Sequence, residues 1–97
     1  MMGFVLDPLA EEDLKDAARH YEEEVRGLGD DFLGRVYALI ERLTIYPQSG
    51  LLQTKNVRVA RVSRFPYDVY YKVEPDSIFV LAVMHQSRKP GLWKKRL

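Results

Sequence analysis

The sequence predicts a single α+β domain of 97 residues, in which a helical hairpin packs on one face of an antiparallel sheet. Two amphipathic stripes with helical spacing occupy the N-terminal half. Three runs rich in Val, Ile, Tyr and Phe, which favour the pleated surface of a strand, follow between residues 57 and 84. The connections between these runs are only a few residues long, and such connections join antiparallel neighbours. The predicted order of elements is therefore β-α-α-β-β-β.

A short strand and a helix are predicted first. Residues Gly3 to Leu6 form an apolar run, which indicates an edge strand. Asp7-Pro8 then begins the first helix, because Asp caps free backbone N–H groups and Pro suits the first helical position. Apolar residues recur after three or four positions until Gly27, which ends the helix.

A second amphipathic helix follows after a turn that is too short for any other element. Asp30 or Asp31 is predicted to cap this helix, and Pro47 ends it. Two helices joined by so short a turn form an antiparallel hairpin. Both apolar stripes must be buried, and the nearest apolar partner is the sheet.

The strand-like runs predict a sheet with two unlike faces. The last run, Ile78 to Met84, has seven apolar residues in succession and is expected at the centre of the sheet, covered on both faces. The run before it, Tyr67 to Glu74, alternates, so that one of its faces packs on the helices and the other is partly wet. On that second face, the apolar last strand is expected to be shielded by the C-terminal tail, by a partner or by both.

Composition excludes several classes of function. The chain has no cysteine, which excludes a disulfide framework, a thiol nucleophile and cysteine-ligated zinc. No apolar run approaches the roughly 20 residues that cross a bilayer, and no signal peptide is visible, so a cytoplasmic protein without a membrane partner is expected. No metal cluster, Gly-rich phosphate loop or Ser/His/Asp set has credible spacing, so neither a metal nor another cofactor is expected.

The net charge of +1 conceals an uneven distribution of charge. Residues 1–50 carry 11 acidic and 5 basic side chains, whereas residues 51–97 carry 3 acidic and 10 basic ones. For the acidic half, ordinary solvated helix faces are as good an explanation as a functional surface. The basic half places Arg and Lys on short strands and on the tail, which indicates a surface for phosphate groups or for an acidic protein.

Four motifs follow one another along the chain. They are A-x-x-D-L (Ala10–Leu14), G-L-G-x-x-F-L (Gly27–Leu33), F-P-Y-x-V-Y-Y-x-V (Phe65–Val73) and V-L-A-V-x-H-x-x-R-x-P-x-x-W (Val80–Trp93). Their joint order and spacing resemble the RelE/ParE superfamily of toxins from bacterial and archaeal type II toxin–antitoxin modules. The resemblance covers essentially the whole chain, residues 1–97, and implies the same fold that the periodicity predicts.

The resemblance implies one of two activities. RelE-like members cleave messenger RNA within the ribosome, whereas ParE-like members poison DNA gyrase and need not be nucleases. Both are neutralised by a small antitoxin, whose acidic amphipathic C-terminal segment is expected to wrap the toxin in a hetero-oligomer. A third alternative is a member that has lost toxicity and remains an antitoxin-binding module.

A RelE-like nuclease is expected to use His85, Arg61 and Arg88. His85 ends the last strand, where its side chain is expected over the open face, and its reference pKa near 6.5 suits proton transfer. A structural histidine that forms a hydrogen bond at a strand end is the alternative. By resemblance, Arg61 falls where RelE-like members carry a lysine or arginine, and Arg88 fits their phosphate-binding arginine. Asp68 and Trp93 stand where those members carry an arginine and a tyrosine, which favours the ParE-like activity.

The residues predicted to bind an antitoxin or a target are basic or aromatic. They are Arg58, Arg61, Arg64, Tyr70, Arg88, Trp93, Lys94 and Arg96. Alternation places Arg58 and Arg64 on one face of the sheet and Arg61 on the other, so the three share a site only if a bulge intervenes. Trp93 is expected to hold the tail against the sheet rather than to stack on a base.

Overall fold

Two helices pack on one face of a five-stranded sheet, and a short 3₁₀ helix lies on the other face. The computed structural model describes residues 2–97. Its elements are β1 (Gly3–Leu6), α1 (Pro8–Glu24), α2 (Leu28–Ile45), β2 (Leu51–Leu52), β3 (Arg58–Arg61), β4 (Tyr67–Val73), β5 (Ser77–His85) and the 3₁₀ helix (Leu92–Arg96). Asp7 caps α1, as predicted, because it accepts the N–H of Leu9 at 2.8 Å. The α+β class and the order of the predicted elements are confirmed, and β2 is added before β3.

The sheet is mixed rather than purely antiparallel. Its strand order is β1-β5-β4-β3-β2, and the pair β1–β5 runs parallel, from Gly3 beside Ser77 to Leu6 beside Val80. The antiparallel arrangement predicted from short connections is therefore correct for β3 to β5, and β2, which was not predicted, pairs antiparallel with β3. A parallel pair needs a long crossover, and the chain between β1 and β5 is long enough to provide it. β1 lies at an edge, as predicted, whereas β5 is an interior strand and β4 holds the middle position.

The hairpin turn is capped by a residue other than the predicted ones. Asp30 and Asp31 lie inside the first turn of α2. The carboxylate of Glu22, on α1, instead accepts the N–H groups of Gly27 at 2.8 Å and of Gly29 at 3.0 Å. Gly27 has φ of 89°, in the left-handed region that glycine adopts without strain. One side chain of the first helix therefore satisfies free N–H groups at the start of the second.

Two apolar clusters lie on opposite faces of the sheet. The larger one lies between the hairpin and the sheet. Its buried members are Ala10, Leu14, Ala17, Phe32, Val36, Ile40, Leu43, Val62, Val69, Tyr71, Ile78, Val80 and Val83. The smaller one lies on the face turned away from the hairpin, here called the far face. Its buried members are Val57, Leu81, Ala82, Met84 and Trp93. The prediction that β5 is covered on both faces is therefore confirmed.

A β-bulge in β5 decides which residues reach each face. The register passes from the pair Tyr71–Val80 to the pair Tyr70–Ala82, so that Leu81 is the extra residue. Leu81 and Ala82 both belong to the far-face cluster. The alternation of β5 is therefore inverted from this point to the end of the strand.

Candidate functional site

The C-terminal tail covers part of the far face. Trp93 is 3% exposed, and its ring stacks on that of Tyr70 with centroids 5.3 Å apart and planes inclined by 21°. Gly91 starts the 3₁₀ helix with φ of 80°, and Lys94 places its ammonium group 5.9 Å from the centre of the Trp93 ring. Trp93 thus holds the tail against the sheet, as the sequence predicts.

An ion pair fixes the end of the tail to the first helix. Arg96 donates hydrogen bonds of 2.6 and 2.9 Å to the two carboxylate oxygens of Asp13, and their side chains are only 17% and 16% exposed. β1 pairs with β5 only as far as Val80. Beyond that residue, the side chains of Asp13 and Arg96 form hydrogen bonds with the backbone of β5. Val83 donates its N–H to Asp13 at 2.9 Å, and Arg96 donates to the carbonyl of Leu81 at 3.2 Å.

This ion pair was not predicted. The hydrogen bond to Asp13 raises the pKa of Arg96, and the guanidinium is used inside the molecule rather than on a free surface. Asp13 lies in the A-x-x-D-L motif, which is the one signal in the sequence that singles it out. Its partner Arg96 is 83 residues away, so no local pattern connects the two.

Replacing Asp13 by alanine is expected to lower the free energy of unfolding by about 2 kcal/mol, because Arg96 keeps a charge without its partner and the Val83 N–H loses its acceptor. Trp93, the single tryptophan, reports the change: its fluorescence should shift to longer wavelength as water reaches the ring. The matched control is Asp16→Ala, since Asp16 is 75% exposed on the same helix and should change neither measurement. A D13A variant as stable as the unaltered protein would contradict the proposed role of the ion pair.

A polar strip crosses the exposed part of the far face. Arg61 Nε lies 3.8 Å from Asp68 Oδ1, and Gln86 donates to the same oxygen at 3.2 Å. The Arg61 side chain is 76% exposed, so this ion pair contributes little to stability and the guanidinium remains accessible to a partner. Asp68, at the position where RelE-like members carry an arginine, therefore adds negative charge to the strip.

His85 lies on the helix side of the sheet, which corrects the expectation that it leans over the open face. It pairs with Tyr67, and the two ring centroids are 5.1 Å apart. It lines a hollow of about 180 Å³ together with Arg88 and His20 of α1. The bulge at Leu81 explains the change of side, because unbroken alternation from the start of β5 would have placed His85 on the far face.

The hydrogen bond of His85 supports the structural alternative. Its Nδ1 accepts the N–H of Ser87 at 3.0 Å, so that a proton on the neutral ring resides on Nε2. Being at a strand end, His85 also borders a hollow of about 210 Å³ on the far face, beside Trp93, and Arg88 lines both hollows. Arg61 lines neither of them. The structure therefore brings together two of the three predicted nuclease residues and leaves the third apart.

The arginines of β3 point to opposite faces, as alternation predicts. Arg58 pairs with Tyr71 of the main core, whereas Arg61 pairs with Asp68 on the far face. No shift of register occurs between β3 and β4, so no bulge unites the two arginines. Arg64 follows in the turn, exposed and with φ of 69°.

The described residues offer no metal centre, and the two tyrosines nearest the candidate site, Tyr67 and Tyr70, are not activated. Within residues 2–97, no group of three or more His, Asp or Glu side chains is arranged to hold a metal ion. Burial raises the pKa of Tyr67 and of Tyr70 above the ordinary value of 10.0, so neither hydroxyl acts as a base at neutral pH. No helix in this part of the chain combines the length and the apolarity that a membrane span requires.

Comparison with known proteins identifies the family. The family model described as "ParE toxin of type II toxin-antitoxin system, parDE" matches residues 4–90. A solved structure titled "Chromosomal ParDE TA system from P. aeruginosa" superposes with a TM-score of 0.73 at 19% identity, over 88% of this chain and 96% of that chain, and so shows the same fold. No curated protein matches the sequence. Because the family model spans most of its length, the chain belongs to the ParE toxin family of type II toxin–antitoxin systems.

Proposed function

We propose that this toxin inhibits DNA gyrase without cleaving nucleic acid and that a cognate antitoxin neutralises it. The observation that carries the choice of target is the burial of Trp93 against Tyr70, where RelE-like enzymes have a titratable tyrosine hydroxyl. Asp68 supports the same choice, because it places a carboxylate where such an enzyme needs a cation for the charge of the phosphorane.

A ribosome-dependent mRNA endonuclease is the second candidate, because His85 and Arg88 line one hollow. A histidine and an arginine could protonate a leaving group and bind a phosphate. Against this candidate, Arg61 lies outside the hollow, and the Nδ1 of His85 is engaged by Ser87. The nuclease is therefore the less favoured of the two activities.

The antitoxin is proposed to bind the exposed apolar surface around β2. The exposed apolar side chains there are Ile45, Tyr46, Leu51 and Leu52. Apolar patches of this kind mark partner surfaces. Arg42 and Arg61 line a hollow of about 270 Å³ beside Leu51, which suits an acidic amphipathic segment. Of the predicted binding residues, Arg61, Arg64, Arg88 and Lys94 remain exposed. Arg61 is the one among them that lines the hollow beside Leu51.

A supercoiling assay with purified gyrase and relaxed plasmid DNA tests the proposal. The toxin is expected to inhibit supercoiling, and His85→Ala is expected to retain this inhibition within about twofold, because no proton transfer is involved. A nuclease that used His85 as acid or base would instead lose about 10²- to 10⁴-fold of its activity in the same variant.

Expression in cells separates the remaining candidates. Gyrase poisoning predicts growth arrest without codon-phased cuts in translated messages. Primer extension on these messages would detect such cuts if they occurred. Growth arrest that disappears with His85→Ala, together with such cuts, would contradict the proposal and establish the nuclease. Unimpaired growth would identify a non-toxic antitoxin-binding module.

A further inference from the structure

A second basic region, which contains the predicted binding residue Arg58 but none of the predicted site residues on the far face, lies where β3 begins and β4 ends. A hollow of about 410 Å³ opens there, and three of its lining residues are cations: Lys55, Arg58 and Lys72. We call it the basic hollow. It shares no residue with the hollow around His85. The positive charge of the basic hollow is therefore not explained by the site around His85.

Among the described residues, the three cations have no carboxylate partner. Within residues 2–97, none of them lies within 4.0 Å of an Asp or Glu oxygen. Glu74 is the one acidic residue among those that line the hollow, which leaves it a net charge of +2. Like charges around one concave surface repel one another and raise the local positive potential, so an anion in the hollow would lower the energy.

Arg58 is held in place for such an anion. Its Nη1 donates to the carbonyl of Gln48 at 3.1 Å and to that of Gly50 at 2.7 Å. In the described part of the chain, its Nη2 and Nε donors have no acceptor. A guanidinium fixed on one side by backbone carbonyls loses little freedom when its other donors meet the oxygens of a phosphate, which makes it a pre-organised ligand for that group.

The remaining walls of the hollow indicate the size and nature of the ligand. Asn56 and Gln48 add amide groups, and Leu52 and Val73 add an apolar wall. The volume of about 410 Å³ falls in the range of pockets that enclose small organic ligands. We propose that the basic hollow binds a phosphate group together with the sugar or base attached to it. This phosphate belongs either to a free nucleotide or to the backbone of a nucleic acid, and the proposal is independent of gyrase inhibition.

Titration of the full chain in phosphate-free buffer of low ionic strength tests this proposal, with adenosine monophosphate and a short oligothymidylate as probes. Lys72→Gln is expected to weaken the binding of the probe about fivefold, because one charge-assisted contact is lost. Lys95→Gln removes the same charge from an exposed position on the tail and should weaken it less than about twofold. Glu74→Gln should tighten binding, since it removes the carboxylate that lines the hollow.

The two probes distinguish the sources of the phosphate. Binding of adenosine monophosphate at least as tight as that of the oligothymidylate supports a free nucleotide as the ligand, and tighter or exclusive binding of the oligothymidylate supports a nucleic acid backbone. Amide chemical shifts of residues 55–58 and 72–74 should move on binding in either case. The proposal is overturned if neither probe binds saturably at millimolar concentration, or if Lys95→Gln weakens binding as much as Lys72→Gln does.

Discussion

Replacing Trp93 by alanine will release the C-terminal 3₁₀ helix from the sheet and lower the free energy of unfolding by about 3 to 5 kcal/mol. The indole ring is 3% exposed and belongs to the far-face cluster with Leu81, Ala82 and Met84. Its removal exposes that cluster to water and also ends the stacking on Tyr70. Chemical denaturation measures the loss as a lower midpoint, and binding of a hydrophobic dye measures the newly exposed surface.

Two variants make this result specific. Trp93→Phe keeps an aromatic ring over Tyr70 and should retain most of the stability, because less apolar surface is lost. Leu97→Ala, also on the tail, alters a side chain that is 63% exposed and should change the free energy of unfolding by less than about 0.5 kcal/mol. If Trp93→Ala were no less stable than Leu97→Ala, the tail would not be a structural part of the domain.

The tail also bears on the function of the far face. The Trp93 ring and the Asp13–Arg96 ion pair hold the tail over part of this face and leave the strip around Arg61 and Asp68 exposed. A partner that docks on this face therefore meets a polar strip bordered by the tail, not a bare apolar sheet. A group of exposed apolar side chains lies instead around β2, where Leu51 is 73% and Leu52 58% exposed, which is why the antitoxin is proposed to bind there.

The elements were predictable because their signals are local. Helical and strand periodicities can be recognised within short windows of sequence. The same is true of the Asp7 cap and of the short connections between β3, β4 and β5. The parallel pairing of β1 with β5 has no local signal, since the paired residues Gly3 and Ser77 are far apart in the chain. A short apolar strand with free edges fits either direction of pairing, and tertiary packing decides between them.

The candidate site was less predictable for a related reason. Alternation correctly separated Arg58 from Arg61, because β3 and β4 pair without interruption. The same rule failed for His85, because the extra residue Leu81 inverts the alternation of β5 before the strand ends. In an unbroken apolar run every residue is compatible with either face, so the sequence contains no mark of the bulge. The ion pair of Arg96 with Asp13 could not be predicted, because the two residues are 83 positions apart in the chain.

Replacing Tyr71 by phenylalanine is expected to lower the free energy of unfolding by about 2 to 4 kcal/mol. Its hydroxyl accepts the N–H of Gly50 at 3.0 Å and donates to the carbonyl of Pro47 at 2.8 Å, in a side chain that is fully buried. Phenylalanine keeps the ring but leaves both backbone groups without their partner. These two contacts fix the segment that leads from α2 to β2, so the exposed residues around β2 should also become more mobile in hydrogen exchange.

The matched control is Tyr46→Phe, because Tyr46 lies beside the same segment but is 60% exposed, and it should change stability by less than about 0.5 kcal/mol. The pH dependence separates the role of the hydroxyl from that of the ring. Burial raises the pKa of Tyr71 above its ordinary value of 10.0, so its contribution is complete below pH 10 and is lost as the pH rises through the folded-state pKa. The variant lacks this titration, so the stability difference between the two proteins should narrow above pH 10. A constant difference across that range would show that the Tyr71 hydroxyl is not buried as the structure places it.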